Sequence, residues 1–332
     1  MKMSNNKEIM NIAILGAGGL GKAAAQIIDQ KKEMTLVALA DANGFIYDEN
    51  GISADEVLRV KVGGSVSELP KGIETSDSIG ETIKLGNKVD GVFIALPNLP
   101  NEFIPNIVER FIAGGFQGAF SDALKRTRAM EMMFDLNDKI RDSGSTYLTG
   151  CGATPGLLTA AASLAAQSFV EIEGVDIWWG VGIPCWEEYK ATIREDIAHM
   201  PGYDVETAKN LSDAEVEAIL NLTEGKLTLR EMEHADDVML ERAGVCSRKL
   251  VTVGGVMDTR SAQKPVSTTM TITGITFEGK RASHKFILGD ETSMAANVCG
   301  PALGYLKRAH WLRERGLHGV FGSSEMMPMV VH

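Results

Sequence analysis

The stretch NIAILGAGGLGKAAAQII, residues Asn11 to Ile28, decides the fold. Asn11 to Leu15 is a short apolar strand. Leu20 to Lys31 reads as a helix with Ala23, Ile27 and Ile28 on one face. Between them Gly16-Ala17-Gly18-Gly19-Leu20-Gly21 matches the spacing GxGxxG, in the strand-to-helix context that its mechanism needs. Gly16 permits the tight turn, Gly18 lets a pyrophosphate approach the backbone, and Gly21 lets the helix pack against the strand. The helix N-terminus offers free N–H groups and a partial positive charge to phosphate. A second strand, Thr35 to Ala40, ends at Asp41, which lies 20 residues after Gly21. An acidic residue there accepts hydrogen bonds from the adenosine ribose hydroxyls and repels a 2′-phosphate. The cofactor expected is therefore NAD, with NADP kept open. The other role for Asp41 is an ordinary turn residue before Asn43-Gly44.

Outward from this motif, the first half alternates strands and helices. A strand is expected near Val60, a short helix at Glu81 to Leu85, and a buried strand at Gly91 to Leu96. A helix follows from Asn101 to Ala113, then a strand from Gly118 to Ser121. A long helix spans Leu124 to Asp142, and Thr146 to Thr149 is a last strand. This alternation predicts an α/β fold with a Rossmann-type doubly wound parallel sheet. Leu96, Pro97 and Asn98 follow a strand at the carboxyl end of that sheet, where they are candidates for the nicotinamide ribose.

The second half reads differently. Thr154-Pro155-Gly156 opens an alanine-rich helix. Val175 to Val181 and Lys249 to Val256 are strands, and Ser212 to Glu215 is a capping box. Ser267 to Phe277 and Ala282 to Leu288 are strands joined through Glu278-Gly279-Lys280, a hairpin signal. A closing helix runs from about Glu291 to Arg315. The expected plan is a dinucleotide domain, 1–153 with 291–332, and an α+β substrate-binding and dimerisation domain, 154–290, with a mixed or antiparallel sheet.

Composition excludes several partners. The net charge is −11 and there is no basic run, so nucleic acid and anionic membrane surfaces are disfavoured. No apolar run reaches the roughly 18 residues of a membrane span. The four cysteines form no CxxC pair, so neither a metal site nor a disulfide framework is expected, and the cytoplasm is the expected compartment. Met130, Met132 and Met133 read as flexible core packing.

Several stretches resemble the saccharopine dehydrogenase and meso-diaminopimelate dehydrogenase group. The Gly16–Gly21 loop matches their dinucleotide loop. LTGCGATPG, Leu148 to Gly156, resembles their Gly-x-Asp-Pro-Gly segment. Trp178-Trp179-Gly180-Val181-Gly182 resembles a strand end that faces the amino acid site, and Met294 to Gly319 resembles their closing helix. The likeness is poor from about Ile183 to Arg248. It implies hydride transfer between NAD(P) and a carbon bearing nitrogen, on an amino acid, keto acid or imine, by a homodimer. One departure stands out. Thr154 replaces the family's Asp and Ala153 its aromatic neighbour, which argues against diaminopimelate itself.

Asp122, Lys125 and Thr154 are the catalytic candidates. Asp122 follows a strand into the crevice, with a helix N-cap as its structural alternative. Lys125 is one turn on, where an exposed helix lysine is the plainer role. Trp179, Gly156 and Arg194 are the substrate-binding candidates, with Lys190 as a further cation. His199, His234 and His284 are possible acids or bases, and Arg260 and Lys264 further cations, but no spacing ties them together. Two other readings are open at this level. A sugar or bile-pigment oxidoreductase of the same plan is weakened by Ser121-Asp122-Ala123, which stands where those sugar enzymes carry Glu-Lys-Pro. A cofactor-binding sensor without turnover is favoured by the missing carboxylate at Thr154.

Overall fold

The computed structural model describes residues 9–96 and 100–332 of the protein. The strands in the first part are β1 (Met10–Leu15), β2 (Met34–Ala40), β3 (Gly44–Tyr47), β4 (Gly72–Glu74), β5 (Gly91–Ile94), β6 (Ala119–Asp122) and β7 (Thr146–Thr149). Those that follow are β8 (Glu171–Gly182), β9 (Lys226–Leu229), β10 (Val251–Asp258), β11 (Thr268–Ile275), β12 (Arg281–Leu288) and β13 (Gly319–Gly322).

The first sheet has the order β13-β7-β6-β5-β1-β2-β3-β4. It is parallel from β13 through β2, and β3 and β4 add an antiparallel edge. Helices cover both faces, so its strands are apolar almost throughout. Ile12, Ile14 and Leu15 are fully buried, each contributing about 1.5–3 kcal/mol of burial. On one face Phe111, Phe116 and Phe120 meet edge to face, and Tyr147 stacks on Phe120. The strand order reverses at β1, which lies between β2 and β5. A crevice therefore opens beyond the carboxyl ends of β1 and β5, where the glycine loop sits.

The second sheet, β12-β11-β8-β10-β9, is mixed, with only β8 and β10 parallel. Val175, Ile177 and Trp179 of β8 and Met257 of β10 face a core that includes Leu158, Ile193 and Ile197. These come from the helices Leu157–Ala165 and Lys190–Ile197. After β12 the chain returns to the first sheet. The helix Met294–Arg313 packs on β5, β6, β7 and the helix Gly19–Asp29.

Two sequence expectations are corrected. Val60 is in no strand. It follows the capped helix Ala54–Leu58 and joins the apolar cluster under the first sheet, where Val57 and Val60 stand three residues apart beside Val66. The expected helix from Leu124 starts only at Thr127 and is interrupted at Leu136. Arg126 has extended dihedrals (φ −89°, ψ 128°), so Lys125 sits on a loop and not on a helix turn.

The glycine loop is held by close backbone contacts. A Cβ on Gly21 would lie 1.8 Å from the Gly16 carbonyl oxygen. Gly16 has φ +107°, and a Cβ there would lie 2.4 Å from the Ala95 carbonyl oxygen. At Gly18 no atom lies within 4 Å of such a Cβ, so its surface is open. Gly21→Ala is expected to destabilise the fold by about 3 kcal/mol, and Gly18→Ala by about 0.5 kcal/mol or less. Chemical unfolding of the two variants checks this, and equal midpoints would contradict it.

Candidate functional site

The crevice is lined by Gly16, Gly18, Gly19 and Leu20 on one side and by Asp41, Ala42, Ala95 and Leu96 on another. Ala17 packs against the core behind the loop. The residues fit a dinucleotide. The open surface at Gly18 leaves room for a pyrophosphate, and by helix geometry the first N–H groups of Gly19–Asp29 lack intrahelical acceptors. The Asp41 carboxylate lies in the crevice but is also tied to its own turn. It accepts from Ser65 Oγ (2.9 Å) and the backbone N–H groups of Asn43 (2.9 Å) and Val66 (2.7 Å). The turn role foreseen for Asp41 is thus present, on a carboxylate that also lines the crevice. Pro97 and Asn98 lie outside the described residues.

A second cavity opens at the inner end of the crevice. Leu20, Ala123, Tyr189 and Thr192 line both, so the two are contiguous. Its walls are largely apolar, with Trp179, Val181, Met257, Leu288, Met294 and Val298. Its polar groups are few: Lys125, Thr154, Asp196, His234 and Asn297 among them.

Lys125 projects from the loop after β6 into this cavity. Its Nζ lies 2.8 Å from Asp196 Oδ1 and 3.5 Å from Glu195 Oε2. Both acids belong to the helix Lys190–Ile197 and are almost wholly buried. Burial alone pulls the lysine pKa down, but the two carboxylates outweigh it and hold the ammonium well above the usual lysine range. Burial pushes the Glu195 carboxyl up, helped by the like charge of Asp196 and opposed by Lys125. Burial also lowers the pKa of His199 nearby.

On another wall, Thr154 Oγ1 donates to Asp236, at 2.8 Å from Oδ1 and 2.7 Å from Oδ2. His234 Nδ1 lies 2.5 Å from Asp236 Oδ2. The carboxylate accepts from Thr154, so the proton shared with His234 is assigned to Nδ1, leaving Nε2 as the second ring nitrogen. His234 is only 5% exposed. Thr154 thus meets a carboxylate, Asp236, supplied from a distant segment.

Several candidates fall elsewhere. Asp122 lines neither cavity. It is fully buried and accepts from Leu124 N, Gly150 N, Tyr147 Oη and Thr149 Oγ1 at 2.7–3.1 Å. Burial raises its pKa and these four donors oppose the rise. It staples β6 to β7 and caps no helix. Arg194 is bound to the Leu211 carbonyl and to Asp213, away from the cavity. Gly156 (φ +130°) makes a close turn in which a Cβ would lie 2.0 Å from the Gly152 oxygen, so its role is backbone geometry. Lys190 lines the crevice and pairs with Asp213. His284 packs on Phe169, and Arg260 pairs with Glu217. Lys264 donates to the Gly289 carbonyl and Thr292.

Sequence reasoning missed Glu195, Asp196, Tyr189 and Asp236. One signal was available for the acidic pair. Asp196 is three residues after Ile193 and one before Ile197, so it borders the apolar face of its helix. Among the described residues no group of three or more His, Cys, Asp or Glu is placed to hold a metal, and no helix is long and apolar enough to cross a membrane.

Comparison with known proteins adds to this geometry. The chain is 44% identical to the (S)-8-amino-7-oxononanoate synthase BioU of Haloferax mediterranei over 348 aligned positions, covering 96% of this chain and 99% of that protein. A family model for glutamate/leucine/phenylalanine/valine dehydrogenase matches residues 1–104. In fold it is similar to the C. glutamicum DAP dehydrogenase in complex with DAP (TM-score 0.57, 17% identity, 95% and 93% of the two chains). It is also similar to the Saccharomyces cerevisiae saccharopine dehydrogenase (TM-score 0.53, 10% identity, 95% and 94%). At such identities these structures speak for the two-domain dehydrogenase fold.

Asp122→Asn puts amide hydrogens against some of four converging donors in a sealed interior. It is expected to cost about 3 kcal/mol of stability, as for a broken buried network. Urea unfolding reads this directly, and an unchanged midpoint would refute the staple.

Proposed function

Because the chain belongs to the BioU family of (S)-8-amino-7-oxononanoate synthases, we propose that it interconverts this nine-carbon amino-oxo acid through a C–N bond at the oxo carbon. A nicotinamide dinucleotide, NAD before NADP, is the partner cofactor in this reading. Held by the Gly16–Gly21 loop and the residues lining the crevice, such a cofactor would supply or accept a hydride.

The observation that carries the reading is Lys125. An oxo carbon becomes a nitrogen-bearing carbon only by taking up an amine. Among the described residues lining the cavity, Lys125 holds the one aliphatic amine. Its ammonium first gives a proton to the carboxylates that hold it, Asp196 at 2.8 Å or Glu195 at 3.5 Å. Nζ then adds to the oxo carbon, a C=N bond forms, and the oxygen leaves as water. Water adding to the same C=N restores the oxo compound and the free lysine, so the step serves either direction. His234, oriented by Asp236, offers Nε2 to carry the proton to or from the departing oxygen. The apolar walls suit the alkyl chain of such an acid.

Asp236 also weakens the sensor reading, which rested on the carboxylate lost at Thr154. The division into a dinucleotide unit (1–153 with 291–332) and a substrate and dimerisation unit (154–290), paired as a homodimer, belongs to the same proposal. Light scattering at the mass of one chain would reject the dimer.

The test mixes protein, reduced cofactor and (S)-8-amino-7-oxononanoate and follows the intact protein mass. The mass should rise by that of the amino-oxo acid less one oxygen atom, and the gain should map to Lys125. Lys125→Arg should fold normally and gain nothing. Sustained turnover by Lys125→Arg would sink the reading. Asp41→Ser should shift relative affinity toward NADP by on the order of tenfold, from the loss of a like-charge contact. An unchanged ratio of the two affinities would remove Asp41 from cofactor choice.

A further inference from the structure

One short segment touches both halves of the site. The turn Trp186–Tyr189 and the helix Lys190–Ile197 leave the end of β8 and cross to the glycine loop. Tyr189 lies directly on Gly19. A Cβ on Gly19 would come within 2.4 Å of Tyr189 Cζ and 2.6 Å of its Oη. The phenol therefore rests on the backbone that a pyrophosphate would approach. Glu195 and Asp196, which hold Lys125, stand on the same helix. At 1.5 Å of rise per residue they lie about 10 Å further along a rigid rod.

We propose that Tyr189 is a cofactor-contacting residue lent by the second half of the chain, and that the segment Trp186–Ile197 links dinucleotide occupancy to the grip of Glu195 and Asp196 on Lys125. The phenol O–H donates to the pyrophosphate and pins the segment closed. The helix then presses its two acids onto the lysine and shields it. The inference rests on the dinucleotide reading of the crevice, and it needs no particular substrate. A bulkier residue at Gly19 is incompatible with the clamp, because the ring already fills that space.

The test uses ADP-ribose, which carries the pyrophosphate but no nicotinamide, so it cannot shield Lys125 by direct contact from the nicotinamide position. Lys125 is labelled with trinitrobenzenesulfonate, and the labelled peptide is followed by mass spectrometry. In the wild-type protein, saturating ADP-ribose should slow labelling several-fold. Tyr189→Phe keeps the ring and removes the donor. It should weaken ADP-ribose by roughly tenfold, the value of one hydrogen bond to a charged group. Tyr189→Ala should abolish the protection at saturating ADP-ribose. Protection that persists in Tyr189→Ala, or ADP-ribose that binds the wild type without protecting Lys125, overturns the coupling. Calorimetry that finds no ADP-ribose binding removes the dinucleotide reading itself, and the clamp with it.

Discussion

An ammonium can be carried into the seam between two sheets only if compensating charge comes with it. Lys125 is such a case. Its loop belongs to the first sheet, and Glu195 and Asp196 arrive on a helix of the second. An isolated buried charge costs several kcal/mol, so each half of the chain needs the other for this cluster to form. Two carboxylates against one ammonium leave a surplus negative charge. The surplus is partly offset by Arg126, which lies close enough to act on Glu195, and by protonation that burial favours at Glu195. The same arrangement that holds the two halves together keeps a proton acceptor beside the only cavity-facing lysine among the described residues.

The buried carboxylates divide their work by what surrounds them. Asp122 meets four donors from strand and turn, which exhaust its lone pairs and leave none for a ligand. Asp236 meets a threonine hydroxyl and an imidazole, both on the wall of a cavity, so its influence passes outward through His234. Glu195 keeps one oxygen without a partner among the described residues. An acid saturated by backbone and hydroxyl donors stabilises the fold. One that is shared with titratable side chains can take part in proton movement.

The place of the site follows from topology. The reversal of strand order at β1 opens the crevice. The chain path after β8 then brings the segment Trp186–Ile197 over its inner end, where Leu20, Ala123, Tyr189 and Thr192 join crevice and cavity. The return of the helix Met294–Arg313 from β12 to the first sheet closes another wall with Met294, Asn297 and Val298.

The local part of this arrangement was legible in the amino-acid sequence. The glycine loop, its flanking strand and helix, and the β11–β12 hairpin follow from contacts between residues close in the chain, where spacing and turn chemistry carry the information, and the parallel sheet was legible from the alternation of strands and helices. Trp179 and Thr154, both singled out in the sequence, line the cavity. Tertiary structure alone decided which charged residues meet. Lys125 and Asp196 are separated by 71 positions, and Thr154 and Asp236 by 82. No periodicity records such pairings, because they depend on how two sheets dock and on which loops that docking buries. For the same reason Asp122, a catalytic candidate at the end of its strand, became a staple, and Lys125, a catalytic candidate whose plainer role was an exposed helix lysine, lies on a loop in the cavity wall, paired with Glu195 and Asp196.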